Sequence, residues 1–323
     1  MSNYRFGIIG AGNIANHFCN AVKLVEGAQV VAVASSDAAR AEAFAARNGI
    51  AQHYGSYEEM LSNADIDIVY IATTHNFHME NIRLCLEHGK HVLCEKAMVL
   101  TADDAKEAFA LAREKGLFLM EAMWTRFLPQ YTRAKQWIRE GRIGSIQSGN
   151  VVIGFRVAQD PESRILNPRL AGGAMYDIGV YAIEPIAYLI GEPIVDVLGC
   201  WRPHAVTGVD ERASMILRFP GCDATLQCMV SATPKEFVML TGSEGYIEFP
   251  FVTGGHTVRL YDGERRLVEE FHQPWENGFV FEIEEVIRCI AAGKLTSDIM
   301  PPEDTIACAK VYDAVLRGES FAQ

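Results

Sequence analysis

The chain runs to 323 residues, 49% of them hydrophobic, with 29 basic side chains against 41 acidic ones and a formal net charge of −12. That apolar content buries a sizeable core and excludes a disordered chain. The acidic balance, with no run of Lys and Arg, excludes a nucleic-acid phosphate backbone as partner.

Eight cysteines are scattered through apolar segments with no C-x-x-C pair, the usage of buried thiols in a reducing compartment and not of a disulfide framework or a zinc site. The start, MSNYRFGIIG, carries no basic leader with a long apolar core, and no apolar run approaches the length of a membrane span. A soluble, cytoplasmic protein with no membrane partner and no metal is expected.

Strands are predicted at 5–10 (RFGIIG), 29–34 (QVVAVA), 67–72 (DIVYIA), 91–94 (HVLC) and 117–120 (LFLM). Helices lie between them in ANHFCNAVKLV, DAARAEAFAARNG, SYEEMLS, NIRLCLEHG and TADDAKEAFALAREKG. Gly49, Gly89 and Gly116 stand where left-handed helix caps are expected. Apolar strands joined by crossover helices imply a parallel, doubly wound sheet.

Beyond about residue 145 the rhythm changes. One helix is predicted at 174–189, after a glycine-rich turn. The runs RASMILRF, ATLQCMVSA, FVMLTG, YIEFPF, TVRLYDG and RLVEEFH then follow closely, with G-S, D-G and G-G turns, the mark of a mostly antiparallel sheet. Two last helices are expected near 279–292 and 303–316. With no repeat, low-complexity tract or long linker between them, the two halves are expected to share a cleft.

Gly10-Ala11-Gly12-Asn13-Ile14-Ala15 fits G-x-G-x-x-A between the first strand and the first helix. One glycine permits the tight turn, the next lets backbone approach a pyrophosphate, and the helix N-terminus faces the anion. Gly10, Gly12, Asn13 and Ile14 are therefore candidate dinucleotide contacts. The second strand ends Ala34-Ser35-Ser36, with Asp37 next and Arg40 a turn later. Hydroxyls stand where NAD enzymes prefer a carboxylate, so Ser35, Ser36 and Arg40 favour a 2′-phosphate, and NADP over NAD. In the competing reading Asp37 caps the next helix and Arg40 is solvated surface.

Ligands of an open parallel sheet bind outside the carboxyl ends of its strands. Thr73, Thr74, His75 and Asn76 occupy one such end, with His78 following, and Glu95 and Lys96 occupy the next. All are expected in the cofactor cleft. For Glu95 the alternative is a neighbouring cation or backbone donors, and for His75 and His78 helix-start contacts and packing come ahead of proton transfer. In GGAMYDIGVY (172–181), Asp177 and Tyr181 are four apart on one helical face. Alone they read as a hydrogen-bonded structural pair; with a lysine beside a nicotinamide they form an acid/base set.

Assembled in this order, the motifs resemble the family of glucose-fructose oxidoreductase and inositol dehydrogenase. GSYEEML (55–61), EAMWTRFLP (121–129) and GGAMYDIGVY narrow the resemblance to the branch of dimeric dihydrodiol dehydrogenase and NADP-dependent D-xylose dehydrogenase. The resemblance implies a Rossmann domain over 1–122 and an α/β domain over 123–323, with a large, mostly antiparallel open-faced sheet and a last helix open to packing back on the first domain. It further implies hydride transfer between a nicotinamide and a sugar, cyclic polyol or trans-dihydrodiol alcohol, and a homodimer or higher homo-oligomer through the C-terminal sheet.

Lys96 corresponds to the lysine of the family's E-K-P, Asp177 to the acid of its G-G-x-x-x-D-x-G, and Tyr181 stands where many relatives have histidine. Ala97 and Thr74 replace family prolines, which leaves those loops less defined. Trp124 and Phe127 match substrate-contact positions of the relatives and Phe155 joins them, with core packing as the competing reading for each aromatic; Trp124 beside Arg126 suits a sugar's apolar face and hydroxyls or an arene diol equally.

Alcohol oxidation needs a hydride acceptor and a group to manage the hydroxyl proton. Tyr181 is the expected proton contact, and Asp177 orients the substrate or tunes the pair that Tyr181 makes with Lys96. A phenol ordinarily titrates near ~10, and a neighbouring Lys96 ammonium is the means of bringing it into range; Lys96 as the immediate base stays open. Competing functions are a cofactor-binding regulatory protein without turnover and an NAD-retaining glycosidase or epimerase of the same family.

Overall fold

The computed structural model describes residues 3–321 and divides into two compact units. One holds the residues up to Val99, Asp103–Trp124 and Asn277–Pro302; the other holds Leu100–Ala102, Thr125–Glu276 and the residues from Glu303 on.

In the first unit β1 (Tyr4–Ile9), α1 (Asn13–Val22), β2 (Ala28–Ala34), α2 (Ala38–Asn48), β3 (Gln52–Tyr54), α3 (Tyr57–Asn63), β4 (Ile68–Ile71), α4 (His78–Glu87), β5 (His91–Glu95), α5 (Ala102–Lys115) and β6 (Leu119–Ala122) alternate. The strands make one parallel sheet ordered β3-β2-β1-β4-β5-β6. Helices on both faces explain why β4 and β6 are buried at every residue. The order reverses between β1 and β4, the switch point outside whose strand carboxyl ends ligands of such sheets bind. The strand expected at 117–120 begins later, at Leu119, whose N–H donates to Leu295 O at 3.2 Å.

The second unit adds α6 (Pro129–Arg139), β7 (Ile146–Gly154), α7 (Val180–Ile190), β8 (Asp196–Pro203), β9 (Asp210–Arg218), β10 (Asp223–Met229), β11 (Phe237–Gly242), β12 (Gly245–Phe249), β13 (Thr257–Asp262) and β14 (Leu267–His272). These strands form one sheet, ordered β14-β13-β12-β11-β7-β10-β9-β8, in which only β7 and β10 pair in parallel. Burial alternates residue by residue along β9 and β10, as expected where one face packs under α7 and the other is open. The helix α8 (Phe279–Ala291) belongs to the first unit, where it packs on α1, and α9 (Pro302–Arg317) to the second.

One expectation is corrected: 174–189 is not a single α-helix. Met175–Gly179 is a π-helical turn, and the α-helix starts at Val180. Among the described residues no disulfide forms, no acidic, His or Cys group clusters as a metal site, and no helix is long and apolar enough to cross a membrane.

Candidate active site

The glycine turn is built as its spacing predicts. Gly10 has φ +101°, and a Cβ there would come within 2.8 Å of Ala72 O, so both conformation and packing require glycine. Gly12 precedes α1 with no side-chain cap, and beyond its own chain neighbours nothing among the described residues lies within 4 Å of where its Cβ would stand. The first N–H groups of α1 thus lack a side-chain cap and face room for an anion, the arrangement that accepts a pyrophosphate.

At the end of β2 the Arg40 guanidinium is drawn back onto the serines, Nε to Ser35 Oγ at 2.9 Å and Nη2 to Ser36 Oγ at 3.3 Å. Asp37 accepts from Arg40 N at 3.1 Å and caps α2. The carboxylate is therefore spent on the helix, while an exposed cation and two hydroxyls stand together at the strand end.

The β4 and β5 ends are tied to each other through His78. This ring is fully buried, with Nδ1 2.9 Å from Ala97 O and Nε2 3.1 Å from Thr73 O. Burial holds its pKa below the ordinary histidine value, and a neutral imidazole has one N–H for the two carbonyls. The structure thus corrects the expectation of a cofactor contact: His78 braces the loop that carries Lys96 and Ala97, whose connecting peptide is cis. His75 is also buried, in a short 3₁₀ turn (His75–Phe77). Ahead of that turn Thr74 Oγ1 donates to Asn76 at 2.7 Å, while Thr73 Oγ1 accepts from Asn81 Nδ2 at 3.2 Å.

Glu95 is buried, 5% exposed, and engages its neighbours in the fold. It accepts from the Tyr70 hydroxyl and, at 3.2 Å, from Lys96 N; Tyr70 is itself fixed by stacking on Phe18. Glu121 accepts from Met98 N at 2.9 Å, so carboxylates receive the backbone on both sides of Lys96 and Ala97. Lys96 is half-buried at this strand end.

Sequence reasoning missed Glu282 of α8. Its carboxyl is fully buried with no hydrogen-bond partner among the described residues, and burial together with the charge of Glu95 pushes its pKa well above the carboxylate range. A signal existed: Phe279, Glu282, Ile283 and Val286 fall at the spacing of one helical stripe, and all are buried. Trp124, also in the first unit, packs its ring 5.4 Å from that of Phe279.

In the second unit Asp177 is 5% exposed and receives Arg164 Nη1 at 2.6 Å. It lies on the π turn, and half-buried Tyr181 lies on the first turn of α7. Phe155 is 37% exposed at the end of β7.

Arg126 is a further correction. It is 1% exposed and ion-paired to Glu184 and to Asp304 at 2.5 Å, with Nη2 also donating to Glu184 O at 3.0 Å. A guanidinium so enclosed organises the interior and leaves no face for a substrate. Phe127 is 7% exposed and packs in the core.

Comparison with known proteins fits this geometry. Residues 4–123 match the model of an oxidoreductase family with an NAD-binding Rossmann fold, and residues 131–248 match the GFO/IDH/MocA C-terminal domain. The trans-1,2-dihydrobenzene-1,2-diol dehydrogenase of Xenopus tropicalis is 32% identical over 97% of this chain and 97% of its own. The chain belongs to the GFO/IDH/MocA oxidoreductase family. The resemblance and the two-part α/β fold are thereby borne out, as is the expectation of an NAD(P)-dependent oxidoreductase. Among solved structures, an aldose-aldose oxidoreductase from Caulobacter crescentus complexed with glycerol superposes with a TM-score of 0.88 at 26% identity, covering 98% of this chain and 97% of its own. A 3-ketoreductase from Actinomadura kijaniata in complex with NADP gives 0.84 at 27%, covering 98% of each chain.

Proposed function

We propose that the protein is an NADP-dependent dehydrogenase of secondary alcohols on sugars, cyclic polyols or trans-dihydrodiols. The observation that carries the cofactor choice is the Ser35, Ser36 and Arg40 cluster at the β2 end, with Asp37 engaged elsewhere. Arg40 and the serines suit a 2′-phosphate, and the uncapped start of α1 suits the pyrophosphate. Bound NADP supplies the hydride acceptor.

The chain's own residues manage the proton. Lys96, on a loop braced by His78, Glu95 and Glu121, presents an ammonium to the substrate oxygen and stabilises its developing negative charge. Tyr181, as the phenolate that a neighbouring ammonium favours, takes up the hydroxyl proton and becomes the neutral phenol. Asp177, held as a carboxylate partner by Arg164, orients the substrate rather than taking the proton itself. Trp124 and Phe155 offer apolar ring surface to a sugar or arene face. In this reading 1–122 binds the dinucleotide and 123–323 the substrate.

The open face of the second unit's sheet carries exposed Leu198 at 58% and Ile216 at 37%, which supports a homo-oligomer joined through that face. Thiols without disulfides support a cytoplasmic location.

The test is a panel of trans-dihydrodiols, D-xylose and cyclic polyols with NADP⁺ and with NAD⁺, following reduced-nicotinamide absorbance. Net NADP⁺ reduction is expected. Nucleotide binding with no turnover of any alcohol would instead indicate a sensor. Cofactor that copurifies and shows no net redox change during turnover would indicate the glycosidase or epimerase alternative.

A further inference from the structure

Asp210 opens β9 and is 5% exposed. Its Oδ2 accepts from Met175 N at 2.7 Å. A helix start leaves N–H groups without partners, and the π turn has no capping side chain of its own. A carboxylate from another strand takes that place.

The glycines before the turn are shaped around it. Gly173 has φ +131°, and a Cβ there would overlap Asp210 Oδ1. Gly173 N donates to Ile165 O at 2.8 Å, which ties the turn to the loop that supplies Arg164. Asp177 lies three residues past Ala174 and bonds through its N–H to Gly173 O at 3.3 Å. The first turn, the loop and the carboxylate are therefore one assembly.

We propose that Asp210 is a positioning residue for alcohol oxidation: by clamping the first turn of the helix it fixes where Asp177 and Tyr181 meet the substrate. It touches no substrate itself, and the proposal rests on the dehydrogenase reading given above. Two observations speak for a dedicated clamp. Burial raises the Asp210 carboxyl to about 7 even against the backbone N–H donors that favour its charged form, so an acid is kept in an enclosed place that penalises it. The clamp also demands a glycine at a φ that other residues avoid.

The test uses Asp210→Ala, Asp210→Asn, Asp210→Glu and Tyr181→Phe in the full chain. Measurements are kcat and KM for trans-1,2-dihydrobenzene-1,2-diol and for D-xylose with NADP⁺, NADPH affinity by fluorescence, and amide exchange over 173–178. Asp210→Ala is expected to lose kcat about 10–100-fold, the scale of a misplacement of roughly 1 Å, with NADPH affinity unchanged and faster exchange confined to the helix start. Asp210→Asn, which keeps an acceptor for Met175 N, is expected to recover most of that loss.

Should Asp210→Ala yield no folded protein, Asp210→Glu decides: it keeps the charge but displaces it by a methylene, so kcat falls while NADPH affinity holds. Wild-type kcat in Asp210→Ala or Asp210→Glu, or undisturbed exchange at 173–178, overturns the proposal. If Tyr181→Phe is slow and Asp210→Ala is not, the clamp alone fails. If Tyr181→Phe keeps wild-type turnover, or the wild type oxidises neither alcohol, the dehydrogenase reading of that helix fails and the clamp with it.

Discussion

Replacing Arg126 by Met separates a structural guanidinium from a substrate-binding one. The substitution deprives Glu184, whose side chain is 1% exposed, of the guanidinium that neutralises it. Removing one partner of a buried pair costs about 3–5 kcal/mol. The Asp304 contact adds little, because that carboxylate is 37% exposed and exposed pairs contribute about 0–1 kcal/mol. Packing over the Tyr188 ring, 5.3 Å from the Arg126 guanidinium, is largely kept by the Met side chain.

In a domain of this size one kcal/mol moves Tm by about 2–4 °C, so the expected fall is roughly 6–20 °C. The assay is thermal unfolding of the wild type, Arg126→Met, Glu184→Met and the double variant, read as a cycle. The double variant is expected to recover most of the loss, since an apolar pair leaves no charge buried. Below the transition, NADP affinity and KM for alcohols are expected to stay at wild-type values. A raised substrate KM at unchanged Tm, or a double variant no more stable than Arg126→Met, would refute the structural role.

Arg40→Ala is expected to raise KM for NADP⁺ about 10–100-fold through loss of a charge-assisted hydrogen bond to the 2′-phosphate, leaving KM for NAD⁺ unchanged; equal effects on both cofactors would contradict the assignment. Burial, with the charge of Glu95, raises the Glu282 pKa well above the carboxylate range in the folded chain, whereas an unfolded carboxyl releases its proton above ~4.3. Folded chain therefore binds the extra proton, and stability falls as pH rises past that value. Glu282→Gln cannot ionise, so its Tm relative to wild type is expected to climb from about pH 5 to about pH 8; a difference independent of pH would contradict a neutral acid there. Gly173→Ala is expected to lower stability by about 1–3 kcal/mol from backbone strain alone, measured by denaturant unfolding, because its φ of +131° has no unstrained alternative and its Cβ overlaps Asp210.

The parts legible in the sequence are those set by neighbours along the chain. The GAGNIA turn is legible because glycine spacing, strand and helix lie within a few residues, and the serines of β2 because strand length alone puts them at its end. β3 escaped because QHY is short, polar and at the sheet edge. The π turn escaped because the carboxylate that holds its start comes from β9, which local periodicity does not register. Arg126 read as a substrate residue because its partner Glu184 lies 58 positions away, and nothing near it in the sequence announces a buried pair. Glu95 reads from sequence as a charge at a strand end, while its partner Tyr70 sits on the neighbouring strand of the sheet, 25 residues away along the chain.

The central claim is that Lys96 and Tyr181 act together on one substrate hydroxyl. Single-turnover reduction of NADP⁺ by a competent alcohol, compared among wild type, Lys96→Met and Tyr181→Phe across pH, tests it most directly. Both variants are expected to slow the step about 10²–10⁴-fold, the range of a positioned acid/base, while binding NADPH as wild type does. Near-wild-type rates in either variant, with an unaltered pH profile, would contradict the account.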